Sequence, residues 1–261
     1  MTRLSRTALR SPVLPAALVL AVALGLLLSG CGGQAASTSS SGAPPTVATS
    51  SGRTVHFTTE DGIDLGGHVF GSGRDGVILC HMYPADQSSW YLTAQELAAQ
   101  GYLVLTFDFR GYGQSGGQKE IDKIDRDVTA AITEIRTEGA TAVVLAGASM
   151  GGTAALIAGD RAQALSSIRL AGIATLSAPV EFEGLSAADA VPHILVPLLF
   201  IAATGDVGAA GARQLEQLSF GKGELQILPG SDHGTNLLSG SQGPKVYQLL
   251  VGFIKTCLKT L

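Results

Sequence analysis

From Thr54 onward, short apolar runs alternate with longer stretches whose apolar residues recur at helical spacing, and this alternation predicts strands and helices in turn. The predicted strands are 53–59, 65–70, 77–80, 103–107, 143–146, 172–176, 198–203 and 224–228. The predicted helices are 90–99, 121–138, 152–159, 209–218 and 245–261. The first two strands flank an Asp61-Gly62 turn and form an antiparallel hairpin. Several later strands are continuously apolar, which is typical of parallel strands covered on both faces. The sequence therefore predicts an α/β fold with an eight-stranded, mostly parallel sheet and helices on both faces.

The first thirty residues follow a different pattern. A basic start with Arg3, Arg6 and Arg10 precedes an apolar stretch over 13–28, which indicates an export signal. The sequence Leu28-Ser29-Gly30-Cys31 resembles the lipobox of bacterial lipoproteins. That resemblance implies cleavage before Cys31 and attachment of a diacylglycerol, with acyl chains such as palmitate, to its thiol. An ordinary secretory signal or a single membrane anchor is the alternative, and each alternative also exports the domain.

The predicted domain organisation is a signal peptide over 1–30, a flexible linker over 31–52 and one folded domain over 53–261. The linker is rich in Ser, Gly and Ala and lacks bulky apolar residues. Hydrophobic residues make up 46% of the chain, enough for a globular core. Loss of the three leader arginines takes the formal net charge from −4 to −7, and this acidic balance argues against nucleic acid as a partner.

Two cysteines remain in the folded domain, Cys80 and Cys257. Export permits a disulfide between them, but one pair is no disulfide framework, so we predict two buried free thiols. The sequence contains no metal-binding pattern, no glycine-rich phosphate loop and no flavin motif. We therefore expect no metal and no cofactor.

The pentapeptide Gly147-Ala148-Ser149-Met150-Gly151 has the pattern G-x-S-x-G. It follows the apolar run 141–146 and precedes the helix-forming run 153–158. A serine on such a sharp strand-to-helix turn projects its hydroxyl clear of the sheet, and its neighbours must be small. The pattern predicts Ser149 as a nucleophile, with a structural turn serine as the alternative.

Over about 55–261, the chain resembles the α/β-hydrolase superfamily, in a compact form similar to dienelactone hydrolases and small carboxylesterases. The family order of nucleophile, acid and histidine matches Ser149, Asp206 and His233. The resemblance implies that His233 is the general base and that Asp206 orients it. A helix N-cap is the alternative for Asp206, and a surface loop histidine is the alternative for His233.

The same resemblance implies two backbone N–H donors for an oxyanion. One belongs to Met150, next to the nucleophile. The other belongs to Tyr83, because His81-Met82-Tyr83-Pro84 is similar to the family's His-Gly-x-Pro element. Met82 stands at the usual glycine position, which puts the path of this loop in doubt. His81 is expected to hold the loop by hydrogen bonds.

The segment from Asp108 to Ser115 resembles the family's D-x-R-G-x-G-x-S turn. We interpret it as structural, with Asp108 and Arg110 organising loops beside the site. Asp125 and Asp127 lie on a predicted amphipathic helix and are expected on its solvated face.

The connection between the strands 172–176 and 198–203 is too short for a lid domain. We expect an open pocket lined by Tyr83, Trp90, Met150, Phe182 and Leu237. The resulting hypothesis is a membrane-tethered serine hydrolase that cleaves carboxylic ester or thioester bonds through an acyl-serine intermediate. The alternative is a lipoprotein that uses this scaffold to bind a ligand or partner with little turnover. The sequence leaves the oligomeric state open.

Overall fold

The computed structural model describes residues 52–164 and 167–259. The signal peptide, Cys31 and nearly all of the expected linker lie outside the described residues. The strands are β1 (Arg53–Thr58), β2 (Asp64–Phe70), β3 (Asp75–Cys80), β4 (Leu103–Phe107), β5 (Ala142–Ala148), β6 (Arg169–Leu176), β7 (Glu181–Phe182), β8 (Leu185–Ser186), β9 (Leu198–Ala203) and β10 (Gly223–Leu228). The α-helices are α1 (Tyr91–Ala99), α2 (Ile124–Thr137), α3 (Met150–Ala162), α4 (Gly208–Leu218) and α5 (Gly243–Lys259). Short 3₁₀ helices span Gln87–Trp90, Ile121–Lys123, Val191–His193 and Gly234–Leu238.

Eight strands form one sheet in the order β1-β2-β4-β3-β5-β6-β9-β10. The hairpin strands β1 and β2 are antiparallel to each other, and β2 is antiparallel to β4, whereas the remaining six strands run parallel. The expected eight-stranded, mostly parallel sheet is confirmed. Because the parallel strands share one direction, the loops that follow β3, β5, β6, β9 and β10 all leave the sheet at its carboxyl edge.

Alternate residues of each central strand enter two separate cores. On β5, Val143 and Leu145 pack in the core shared with α2, α3 and α4, while Val144 and Ala146 pack in the core shared with α1 and α5. This period-two division is possible because both faces of the strand are apolar. Helices therefore cover both faces of the sheet, as the sequence predicts.

Some boundaries and details differ from the sequence-based prediction. The helix expected over 152–159 is longer, Met150–Ala162, and the two-residue strands β7 and β8 form a small hairpin that the pattern did not indicate. Asp125 and Asp127 are buried, not on a solvated face, because each carboxylate pairs with an arginine: Asp125 with Arg161 and Asp127 with Arg110. Helical periodicity alone does not reveal such partners.

Cys80 and Cys257 are both buried and free, as predicted. Burial raises the pKa of both thiols, that of Cys257 to about 11, so neither side chain is a reactive thiolate near neutral pH. Within 52–164 and 167–259, no helix is both long and apolar enough to cross a membrane.

Candidate active site

Ser149 lies between β5 and α3 in a backbone conformation that non-glycine residues rarely adopt. Its φ is 48° and its ψ is −121°, and its N–H donates to the Leu176 carbonyl of the neighbouring strand at 2.8 Å. A positive φ at a non-glycine residue is strained and persists only where the surrounding structure enforces it. The geometry is that of the strand-to-helix turn expected for a nucleophilic serine.

The glycines around Ser149 are required by close backbone approach. A Cβ at Gly147 would lie 2.5 Å from the Gly151 carbonyl carbon, and a Cβ at Gly151 would lie 2.6 Å from the Cys80 carbonyl oxygen. Real Cβ atoms do not approach backbone atoms so closely. The small residues of the pentapeptide therefore allow the start of α3 to pack directly against the end of β3.

Asp206 and His233 are joined by a short hydrogen bond, although 27 positions separate them along the chain. Asp206 follows β9 and His233 follows β10, and these strands are parallel neighbours. The distance between His233 Nδ1 and Asp206 Oδ1 is 2.7 Å, which is typical of a charge-assisted bond. The Asp206 side chain is 2% exposed and that of His233 is 32% exposed. With the Nδ1 proton donated to the carboxylate, Nε2 is the free acceptor nitrogen of the ring.

The loop that carries His233 packs against the serine turn. A Cβ at Gly234 would lie 3.5 Å from the Ala148 Cβ, and it would collide with the Met82 sulfur. Gly234, next to His233, therefore lies close both to Ala148, next to Ser149, and to Met82, next to Tyr83. Within the described part of the chain, the Ser149 hydroxyl makes no hydrogen bond to His233.

His81 fixes the loop after β3, as the sequence predicts. The ring is fully buried; its Nε2 accepts from the Phe109 N–H at 3.0 Å, and its Nδ1 lies 3.0 Å from the Met82 carbonyl oxygen. Because Nε2 accepts, Nδ1 carries the proton and donates to Met82. Burial lowers the pKa of His81, so the ring is neutral near neutral pH.

The two expected oxyanion donors lie on segments that touch. Met150 is the first residue of α3, where backbone N–H groups have no partner within the helix. Tyr83 follows Met82 in the loop that His81 fixes. The departure from the family's glycine has a physical explanation, because the Met82 sulfur packs on the His233 loop and lies 3.6 Å from the Thr235 hydroxyl oxygen.

Asp108 and Arg110 each hold a set of polar contacts in the turn 108–116, in agreement with the structural role predicted for them. The Asp108 carboxylate accepts from the backbone N–H and the amide of Gln87, both at 2.9 Å, and from the Gln114 N–H at 2.8 Å. Arg110, which is fully buried, donates to Asp127 at 2.6 and 2.8 Å and to Asp61 at 2.8 and 3.0 Å. These contacts fix the turn 108–116 against α2 and the β1–β2 turn.

Three of the residues expected to line the pocket are buried in the cores of the domain. Trp90 is fully buried, and its indole N–H donates to the Cys80 carbonyl at 3.0 Å. Leu237 is 1% exposed and lies in the core under α5. The Met150 side chain is fully buried. Their apolar side chains point into the two cores, Met150 into one and Trp90 and Leu237 into the other. Phe182, in contrast, is half-buried and its ring centroid lies 6.0 Å from that of the exposed Tyr83.

Sequence reasoning missed Tyr112. Its ring packs 5.1 Å from the His81 ring, and its hydroxyl is buried with no hydrogen-bond partner among the described residues. Burial, with Tyr83 and Glu183 nearby, raises the pKa of Tyr112 to about 12, so the phenol is neutral. The only available signal was an aromatic residue inside the glycine-rich turn. In the described residues, no group of His, Cys, Asp and Glu side chains is arranged to hold a metal ion.

Comparison with solved structures gives close agreement in fold. An esterase from Pyrococcus furiosus matches with a TM-score of 0.67 and 22% identity, over 79% of this chain and 91% of the esterase. An esterase from Exiguobacterium antarcticum matches with a TM-score of 0.64 and 16% identity, over 78% of this chain and all of that one. The chain has the α/β-hydrolase fold. The expected fold is therefore confirmed over most of the folded domain.

Sequence comparisons agree with this fold and cover shorter regions. A family model described as serine aminopeptidase, S33, matches residues 72–199, which include Ser149 but neither Asp206 nor His233. The AB hydrolase superfamily protein YisY of Bacillus subtilis is 34% identical over 104 residues, 39% of this chain and 37% of that protein. An uncharacterised protein of Mycobacterium tuberculosis is 36% identical over 84 residues, 31% of this chain and 30% of that protein. The chain thus matches only about a third of the length of these curated relatives.

Proposed function

We propose that this α/β-hydrolase-fold protein is a serine hydrolase that cleaves carboxylic esters through an acyl intermediate on Ser149. The observation that carries the proposal is the 2.7 Å bond between His233 and Asp206, in a loop that packs against the strained Ser149 turn. The esterases that share the fold support an ester as the substrate. Thioesters react by the same acyl transfer and are included.

The proposed reaction assigns one task to each group. His233 Nε2 takes the Ser149 hydroxyl proton as the oxygen attacks the ester carbonyl carbon. The negative charge on the carbonyl oxygen is stabilised by the N–H groups of Met150 and Tyr83. The C–O bond then breaks, the alcohol leaves with the proton from His233, and a water molecule activated by the same imidazole hydrolyses the acyl-serine. Asp206 holds the ring orientation and stabilises the imidazolium.

The decisive experiment compares Ser149→Ala with Ser239→Ala, an exposed serine that lies outside the proposed machinery. We expect the purified 261-residue chain to hydrolyse short p-nitrophenyl esters and to be labelled by a fluorophosphonate at Ser149. Ser149→Ala should lose several orders of magnitude in kcat, while Ser239→Ala should be unaffected. Unchanged turnover in Ser149→Ala, or a wild-type chain that neither hydrolyses any ester nor reacts with the probe, would refute the proposal.

Amide cleavage is the closest competing chemistry, because the matching family model is described as a peptidase. The same variants should therefore be tested on amino-acyl p-nitroanilides. We expect turnover of esters and not of anilides. A reversed preference would keep Ser149 as the nucleophile and correct the substrate class.

We also propose that the protein is exported and tethered to the outer face of the bacterial cell membrane through lipidated Cys31. The supporting observation is the Leu28-Ser29-Gly30-Cys31 sequence after a basic and apolar leader. Two or three acyl chains give stable anchoring, because each buried methylene contributes about 0.8 kcal/mol. Mass spectrometry of the mature N-terminus should find a diacylglycerol on Cys31 that is missing in Cys31→Ser. A mature protein with an unmodified Cys31 would refute the anchor.

A further inference from the structure

The acid of the proposed triad has one oxygen without a partner. Asp206 Oδ1 accepts from His233, but Asp206 Oδ2 is buried and makes no hydrogen bond among the described residues. A buried carboxylate oxygen that remains unpaired is strongly disfavoured. The Ser177 hydroxyl has the same status, since it is also buried and also lacks a partner there. Two unsatisfied polar groups of complementary type, an acceptor and a donor, thus occur in adjoining loops.

Ser177 is packed directly against the loop that holds Asp206. Its N–H donates to the Ile201 carbonyl of β9 at 2.7 Å. A Cβ at Gly208, two residues after Asp206, would lie 2.8 Å from both the Cα and the Cβ of Ser177. Only glycine fits at 208 because Ser177 comes so close. Ser177 also has a φ of 59°, so its side chain is held in place at the cost of backbone strain.

Ser177 adjoins the nucleophile turn as well. The preceding residue, Leu176, accepts the Ser149 N–H, and a Cβ at Gly152 would lie 2.8 Å from the Ala178 Cβ. The segment 176–178 therefore contacts the serine turn on one side and the acid loop on the other. Ser177, at the centre of this segment, can therefore influence the position of Asp206 relative to Ser149.

We infer that Ser177 is a positioning residue whose hydroxyl holds Asp206 Oδ2 through one buried water molecule. This inference rests on the proposed function, because it assigns Asp206 the task of orienting His233. Buried waters commonly satisfy polar groups that lack protein partners. A carboxylate fixed at both oxygens cannot rotate, so Oδ1 stays directed at His233 Nδ1. Ser177 acts on the reaction only through Asp206 and touches no reacting atom.

The test compares two variants that remove the hydroxyl. Ser177→Ala keeps a Cβ at the strained φ, whereas Ser177→Gly suits a positive φ and protects folding. The matched control is Thr175→Val, since Thr175 also has a buried hydroxyl without a partner among the described residues but lies on β6, before Ser177, and adjoins Gly152 of α3. We expect kcat to fall roughly tenfold in both Ser177 variants, with KM unchanged, as for loss of a hydrogen bond to a charged group. Thr175→Val should retain kcat.

A second measurement requires no substrate. The His233 Nδ1 proton should give a resolved, far-downfield proton NMR signal, which we expect to shift and broaden in Ser177→Ala and Ser177→Gly and to remain in Thr175→Val. Wild-type kcat and an unchanged signal in both Ser177 variants would overturn the inference. Full recovery of kcat and of the NMR signal in Ser177→Gly would also overturn the inference, because Ser177 would then act through its backbone conformation and not through its hydroxyl. If the chain hydrolyses no ester, the proposed function fails, yet the NMR signal still tests Ser177.

Discussion

Arg110 offers the sharpest test of how the site is held together. Its guanidinium is fully buried and donates to two carboxylates, Asp127, which is fully buried, and Asp61, which is 27% exposed. The variant Arg110→Met keeps a long apolar side chain but removes the charge. It leaves Asp127 as a buried, unpaired carboxylate, whereas Asp61 can be solvated.

The loss of stability in Arg110→Met follows from this difference in burial between Asp127 and Asp61. Removing one partner of a buried ion pair costs about 3–5 kcal/mol, because the remaining charge stays buried. For a domain of this size, that loss corresponds to a fall in Tm of about 6–20 °C. Asp127→Asn should cost less, because Arg110 retains Asp61. The double variant of Arg110→Met with Asp127→Asn should recover most of the loss, since no buried charge remains and Asn can still accept from the backbone N–H at 110.

Urea unfolding is a suitable assay, because the single tryptophan, Trp90, is fully buried and reports on the core. The free energy of unfolding should be measured for the wild type, both single variants and the double variant. Burial already raises the pKa of Asp127, so the deficit of Arg110→Met should shrink as the pH falls and Asp127 becomes protonated. An Arg110→Met variant within about 1 kcal/mol of wild type, or a double variant no more stable than Arg110→Met, would refute the reasoning.

Three further predictions follow from the contacts around the site. Asp206→Asn should lower kcat by about 10⁴ with little change in folding, because Asn favours the wrong tautomer of His233; steady-state kinetics with thermal melts check this. Gly151→Ala should destabilise the fold by about 1–3 kcal/mol or more through collision with the end of β3, whereas Gly252→Ala, with open space around its Cβ, should gain up to about 1 kcal/mol; urea unfolding distinguishes the two. Burial depresses the pKa of His81 below 6.5, so its contribution to stability is complete above that pH and is lost as the pH falls toward the folded-state value. Unfolding free energies at about pH 7.5 and about pH 5 should therefore differ less in His81→Gln than in the wild type, and an equal difference would show that another group titrates.

The sheet could be predicted from the sequence because its central strands are buried on both faces. The predicted bounds of β4 and β9 agree with the structure; both strands are buried throughout, and Thr106 is their one polar residue. The sequence predicts the start of α3 two residues late, because glycine is a poor helix former and the apolar pattern begins only after Gly152. Glycine is required at 151 because the end of β3 packs closely against it. The two segments are about seventy residues apart, so the local sequence pattern contains no sign of this contact.

The buried aspartates and the pocket residues are harder to predict, because their surroundings come from segments that are distant in the sequence. Asp125 and Asp127 fit the polar face of an amphipathic helix, and only the fold brings Arg161 and Arg110 to them. Trp90 and Leu237 are expected to line an open pocket. Side-chain direction decides their role, and both point into the core shared with α1 and α5. The meeting of Asp206 with His233 could be anticipated because both follow strands that end at one edge.

The two sides of the proposed site differ in how completely their polar groups are satisfied. On the oxyanion side, His81 uses both ring nitrogens and the Asp108 carboxylate accepts three hydrogen bonds, although the Tyr112 hydroxyl beside His81 has no partner among the described residues. These bonds hold the loop after β3 in place before substrate arrives. On the acid side, Asp206 Oδ2 and Ser177 are unpaired in the described part of the chain, and His233 is partly exposed. A rigid oxyanion hole stabilises developing charge without reorganisation, whereas the imidazole must change protonation state and partner during turnover. Adjustment during the reaction is therefore expected at the His233 ring, which is partly exposed, while the buried Asp206 carboxylate stays in place. A variant that loosens the support of Asp206 should lower kcat more than it raises KM.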